Sequence, residues 1–151
     1  MSKVAKDVPL SEVTLRKYEK PDLSDKRNLV KKLCLSIGLL QPGDSRDIIV
    51  DILLLIINEK IVKSEDIKIK VEGIRKKYNL SLLGLAESNI RRQLKRLKDL
   101  GLIEKTLEGY RLYENLSLGE IFKERMEKYL IPNIIERVKE YFNAVKWERF
   151  K

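Results

Sequence analysis

The residues with the clearest chemical potential lie between Ser88 and Arg96. From Asn89 to Lys98 the chain carries five cationic side chains, Arg91, Arg92, Lys95, Arg96 and Lys98, and no acidic one. Arginine forks can donate two parallel hydrogen bonds to guanine O6 and N7 or to phosphate. Lysines act as point charges, and Asn89 and Gln93 each carry the donor-plus-acceptor pair that adenine requires. Other chemistry is scarce. The 151 residues contain no histidine, which removes histidine general bases, Ser-His-Asp and Cys-His nucleophiles and Cys/His zinc sites. The single cysteine, Cys34, forms neither an intramolecular disulfide nor a thiolate cluster, and fits a reducing compartment. No catalytic residue, metal site or cofactor is assigned, and the expectation is a protein that is not an enzyme. The span Gly38 to Ser45 has the spacing of a phosphate-binding loop. Asp44, however, stands where that motif needs a lysine, and a carboxylate there would repel a nucleotide.

A helix must present the basic face. Ile90, Leu94 and Leu97 recur at helical spacing within a helix expected over 87–100, which turns Ser88, Asn89, Arg91, Arg92, Lys95 and Arg96 outward, and Gly101 supplies a left-handed stop. Upstream, the spacing predicts a helix over 45–58, introduced by the turn at 41–45 and apolar on nearly all sides, and therefore central to the core. A second helix follows over 64–78, opened by Ser64, Glu65 and Asp66, with Ile67, Val71, Ile74 and Tyr78 on one face. Downstream, Leu102–Thr106 and Tyr110–Tyr113 read as two short strands around Leu107-Glu108-Gly109, with Gly109 as the residue of positive φ. Lys105 and Arg111 flank the hairpin tip, within reach of a minor groove or phosphates.

Three helices followed directly by a hairpin are the layout of a winged helix-turn-helix. The run Ser88-Asn89-Ile90-Arg91-Arg92-Gln93-Leu94-Lys95-Arg96-Leu97-Lys98-Asp99-Leu100-Gly101-Leu102-Ile103, with the return strand Gly109-Tyr110-Arg111-Leu112, resembles the recognition helix and wing of the MarR-like and ArsR-like bacterial and archaeal regulators. The resemblance covers about residues 45–113. It implies sequence-specific binding of double-stranded DNA by a transcriptional regulator, with the helix at 87–100 in the major groove and the hairpin at 102–113 as wing. Ser88, Asn89, Arg91, Arg92, Gln93, Lys95, Arg96, Lys105 and Arg111 are then the DNA-binding candidates. The first four, with the amide of Gln93, suit base edges; Lys95 and Arg96 suit the backbone. The alternative from a different class is a winged-helix interaction module within a larger transcription, replication or chromosome complex. The 64–78 helix and the apolar connector Asn79–Ala86 are longer than that family's pattern.

The fold class is accordingly mainly α with a small β-hairpin: a winged helix-turn-helix with flanking N- and C-terminal helices. The expected divisions are an N-terminal arm and helix over 1–44, the DNA-binding domain over 45–114, and a C-terminal helix or kinked helix pair over 115–151. In the first, a helix capped by Ser24 or Asp25 runs to about Ile37, with Leu29, Val30, Leu33, Cys34 and Ile37 on one stripe, and Gly38 ends it. In the last, Ile131, Ile135, Val138, Phe142 and Val145 make a narrow seam that Pro132 interrupts near its start. Tyr129, Ile134, Tyr141, Trp147 and Phe150 add to its apolar character. That seam suits homodimerisation, with the N-terminal helix as a second contributor, or packing against its own domain.

Charge agrees with a polyanionic partner. The net charge is +9, and residues 45–113 hold fifteen Lys/Arg against ten Asp/Glu, the largest excess of any part of the chain. Residues 1–10 have no apolar leader core, and the longest apolar run, Ile48–Ile57, includes Asp51 and is too short to cross a bilayer, so a cytoplasmic, non-membrane protein is expected. Abundant Ile, Lys and Glu, with Gln41 and Gln93 as the only glutamines, lean towards a thermophilic and archaeal source.

Overall fold

The computed structural model describes residues 7–146. It is mainly helical with one two-stranded antiparallel hairpin. The described residues form two compact bodies, one of residues 14–121 and one of residues 7–13 with 122–146.

The larger body begins with an extended segment that is tied down rather than loose. The Arg16 backbone N–H donates to Ser36 O at 2.8 Å, and its guanidinium donates to Leu35 O at 2.7 Å and Leu40 O at 3.2 Å. A cation thus binds one carbonyl at the end of helix α1, Lys26–Ser36, and one just beyond it. Asp25 caps the start of α1 by accepting from the Asn28 N–H, as the sequence allows. Gly38 follows with φ +79°, and a Cβ there would meet Thr14 at 2.6 Å, so the stop is both conformational and steric.

Helix α2, Ile48–Glu59, is buried from Ile48 through Ile56, and the core forms around it. It starts three residues later than the turn chemistry at Ser45 suggests. Asp47 stands at the N-cap position but makes no side-chain cap bond. Its carboxylate is turned inward instead. Helix α3, Ser64–Lys77, buries Ile67 and Val71 against α2 but leaves Tyr78, expected on the same face, exposed. Helix α4, Glu87–Asp99, buries Ile90, Leu94 and Leu97 as the spacing requires, and Gly101 takes φ +87° just beyond its end.

The hairpin pairs β1, Ile103–Thr106, with β2, Gly109–Leu112, in the register Ile103↔Leu112 to Thr106↔Gly109. Val62 adds a third rung through a bridge to Tyr110, closed by N–H···O bonds of 2.9 and 2.8 Å. Gly109 has the positive φ expected of it, +139°, but its main constraint lies elsewhere. A Cβ there would fall 2.4 Å from Val62 O, so only glycine lets this third segment approach. Helix α5, Leu118–Ile121, completes the body.

Four charges sit inside this core. Arg27 of α1 donates from Nε to Asp51 Oδ1 at 2.8 Å and from Nη2 to Asp47 Oδ2 at 3.1 Å. Arg75 of α3 donates from Nη1 to Asp51 Oδ2 at 2.6 Å and Asp47 Oδ1 at 2.9 Å, while its Nε donates to Ser81 O at 2.5 Å. Asp51 is 0% exposed and Arg75 1%. Lys31 lies 3.8 Å from Asp47 at the rim. Among the described residues no buried side-chain nitrogen or oxygen lacks a partner, so each buried charge is compensated. Cys34, in the same interior, has its thiol pushed up to about 12 by burial, which makes it a small apolar filler rather than a nucleophile.

In the smaller body the chain runs through wider, π-type turns over Phe122–Leu130 and then α6, Ile131–Lys146. Pro132 falls in the first turn of α6, directly after the wider turns, which relieve its ring and missing N–H. Ile135, Val138, Tyr141, Phe142 and Val145 are all exposed. Residues Val8, Pro9 and Leu10 share a recess of about 760 Å³ with Ile134, Val138 and Tyr141. Trp147 and Phe150 lie outside the described residues.

Two outcomes follow from the buried charges. Asp51→Ala leaves two buried arginines with Asp47 as their one buried carboxylate and is expected to cost about 3–5 kcal/mol in urea unfolding. With Arg75→Leu added, the double variant should be less destabilised than the two single costs combined. Asp47 supplies the pH dependence. Burial pulls its carboxyl up, but hydrogen bonds from Arg75 and Arg27 outweigh that and hold it below the ordinary 3.8. On acidification the unfolded chain therefore takes up this proton first. The stability Asp47 contributes is complete above the ordinary carboxylate range and is lost as pH falls through the lowered folded value. Acid titrations of folding should show a shallower decline in Asp47→Asn than in the wild type.

Candidate functional site

The outer face of α4 forms the candidate site. Because Ile90, Leu94 and Leu97 face the core, helical periodicity puts Ser88, Arg92 and Lys95 along the centre of the exposed side, with Arg91 and Lys98 on one flank and Asn89, Gln93 and Arg96 on the other. Ser88, Arg91, Arg92, Lys95 and Lys98 are exposed. Lys98, outside the sequence candidates, belongs with them: it and Arg91 have no side-chain partner among the described residues. Lys95 pairs one turn on with Asp99 at 2.7 Å, an exposed i,i+4 contact that contributes little and leaves its ammonium accessible.

The second flank is internally bonded. Asn89 Nδ2 donates to Gly84 O at 2.8 Å, and Asn89 Oδ1 accepts from Gln93 Nε2 at 3.1 Å and Arg92 Nη1 at 3.4 Å. Gln93 Oε1 in turn accepts from Arg96 Nη1 at 2.8 Å. Arg96 is half-buried and turned towards the Gly38 carbonyl, 3.5 Å away. Local sequence explains the arrangement. No side chain caps α4, whose N-cap is Ala86; Asn89, in its first turn, donates back to the carbonyl of Gly84, a residue held at φ +91°, which ties the helix start to the connector without serving its free N–H groups.

The hairpin candidates divide similarly. Arg111 is half-buried and bonded through Nε and Nη2 to Glu104 Oε2, both at 2.7 Å, directly across the register. Lys105 is exposed, with its ammonium 5.7 Å from the Tyr110 ring centroid. At the tip, Thr106 Oγ1 accepts from the Glu108 N–H and donates to Gly109 O, which braces a turn whose Leu107 is fully solvent-exposed.

The structure thus brings Ser88, Arg91, Arg92 and Lys95 together on one open helical face, ties Asn89, Gln93 and Arg96 into a lateral chain, and neutralises Arg111. Arg75, which holds the α3–α4 connector through Ser81 O, was not distinguishable in sequence from its lysine neighbours. Asp51 was the available signal, because an acid inside an all-apolar helix requires a buried cation. No helix of the described residues is long and apolar enough to cross a membrane. Comparison of the chain with protein-family models, with curated proteins and with solved structures returned no match.

The tie from Asn89 to the connector is open to test. Asn89→Ala is expected to lower stability by about 1 kcal/mol, chiefly through the lost bond to Gly84 O, because the partners Arg92 and Gln93 reach solvent, with unchanged helical circular dichroism.

Proposed function

We propose that the chain binds double-stranded DNA as a winged helix-turn-helix protein of the kind it resembles in the MarR-like and ArsR-like regulators, acting by occupancy and not by catalysis. The observation that carries this reading is the outer face of α4: exposed Arg91, Arg92, Lys95 and Lys98, with no acid on the helix between Glu87 and Asp99. A solvated helix with no partner more often alternates its charges, as α3 does with Glu65, Asp66 and Glu72 among its cations. Two further features support the reading: the order of α2, α3 and α4 followed by the hairpin, and the Val62–Tyr110 bridge that seats the hairpin beside the three helices.

In this reading α4 enters the major groove, Arg91 and Arg92 meet base edges, Lys95 and Lys98 meet phosphates, and Lys105 reaches the backbone beside the groove. A palindromic site needs two such modules. The exposed Ile135, Val138, Tyr141, Phe142 and Val145 of α6 supply an apolar seam for a homodimer. The same seam favours the second reading, an interaction module in a larger transcription, replication or chromosome complex. A stoichiometric partner in pull-downs together with no duplex affinity at moderate salt would select it.

Gel shifts across a salt series test the first reading. Arg91→Ala and Arg92→Ala are each expected to weaken binding by about 1–3 kcal/mol, and Lys95→Ala and Lys98→Ala each to reduce the salt slope by about 1. Equal duplex binding by the wild type and an Arg91/Arg92/Lys95 triple alanine variant overturns it.

A further inference from the structure

Of the candidates for base contact, the two amides are the most heavily engaged within the protein. Reading adenine with an amide requires its NH₂ and its carbonyl oxygen to face one base edge together, at N7 and N6. Asn89 has Nδ2 on Gly84 O and Oδ1 shared between Gln93 and Arg92. Gln93 has Nε2 on Asn89 and Oε1 under Arg96. Asn89 Oδ1 already accepts twice, so Asn89 would have to give up a hydrogen bond before it could address adenine, and Gln93, which keeps one N–H and one lone pair, is held along the flank of α4 by its bonds to Asn89 and Arg96.

The arginines differ. Arg91 is exposed and unpartnered among the described residues. Arg92 is exposed and spends a single nitrogen on the 3.4 Å contact to Asn89, which leaves the rest of its fork open. That contact comes from the N-terminal side of the helix, one turn back, and restricts where the guanidinium can point. Guanine is the base that offers two adjacent acceptors, O6 and N7, to such a fork. Lys95 carries charge without a fork, and Arg96 is drawn to Gln93 and the Gly38 carbonyl.

We propose that the duplex sites selected by this chain are centred on guanine, read by Arg91 and Arg92, and that Asn89 is a positioning residue that aims Arg92 rather than an adenine reader. This rests on the DNA-binding reading above and specifies which bases that site takes. It makes the lateral Asn89–Gln93–Arg96 chain part of the mounting of the reading face.

The test uses the full-length chain and duplexes enriched by it from a random pool, then resynthesised with 7-deazaguanine or 7-deazaadenine so that one N7 acceptor at a time is removed. The expected result is enrichment of guanine-containing steps, a loss of roughly tenfold in affinity with 7-deazaguanine, and no measurable loss with 7-deazaadenine. Asn89→Ala, with its folding verified by thermal melting, should still bind at low salt but lose the guanine preference at one position of each half-site. A purely structural Asn89 would shift the melting temperature and leave base preference intact, which overturns the positioning role. Loss with 7-deazaadenine alone, or binding with no base preference, overturns the guanine assignment and leaves duplex binding standing. No duplex binding at any salt removes both.

Discussion

The buried exchange of charge between Arg27, Asp47, Asp51 and Arg75 constrains everything else in the larger body. Two guanidinium groups and two carboxylates meet in the interior, so the charges cancel there. Each cation comes from a different helix, Arg27 from α1 and Arg75 from α3, while both acids belong to α2 or its first boundary. Apolar packing would tolerate small slides of these helices over one another. Hydrogen bonds between planar forks and carboxylates, buried among apolar side chains, do not. Whether the network adds net stability over an apolar core of equal volume is a separate matter from what it enforces, a single relative placement of three helices.

That placement passes to the candidate site through one bond. Arg75 also holds Ser81 O, in the connector between α3 and α4, which contains exposed Leu82 and Leu83 and has little apolar anchoring besides Leu85. From there Gly84 receives Asn89, and Asn89 receives Gln93 and Arg92. A series of contacts, joined through the connector backbone between Ser81 and Gly84, therefore runs from the buried charges to Arg92 on α4. The same residue type serves at both ends, and its surroundings decide the role: Arg75 donates to two carboxylates and a carbonyl, whereas Arg92 is exposed and makes one contact of 3.4 Å.

Much of this fold was legible in the sequence wherever the signal is local. Ile90, Leu94 and Leu97 announce α4 by spacing, Gly101 its end, Ser24 or Asp25 the start of α1, and the two short segments around Leu107-Glu108-Gly109 the hairpin. Departures arise where a residue with a strong local preference is claimed by a distant partner. Asp47 has the chemistry of a helix cap, yet it spends its carboxylate on cations twenty and twenty-eight positions away, and α2 starts at Ile48 rather than at Ser45. Gly109 reads as a turn residue, but Val62, far back in the chain, sets its steric requirement. Arg75 looks like one more surface charge on a basic helix because sequence shows charge without its partner. The same limit applies on α4, where composition ranks Asn89, Gln93, Arg91 and Arg92 alike and only side-chain geometry separates the engaged amides from the open forks.

A helix that reads bases must present its forks to within a fraction of an ångström, and long side chains on a helix fastened by apolar contacts alone would be slow to meet that demand. In α4 the apolar contacts of Ile90, Leu94 and Leu97 supply most of the adhesion, and the two bonds that lead out of the lateral chain, from Asn89 to Gly84 O and from Arg96 to Gly38 O, add orientation. Adhesion and orientation are thus carried by different residues on different sides of the helix. The side bearing neither, with Arg91, Arg92, Lys95 and Lys98, is the side left available to a polyanion. If Asn89 were a reader, orientation and recognition would compete for its carbonyl oxygen, which already accepts from Gln93 and Arg92.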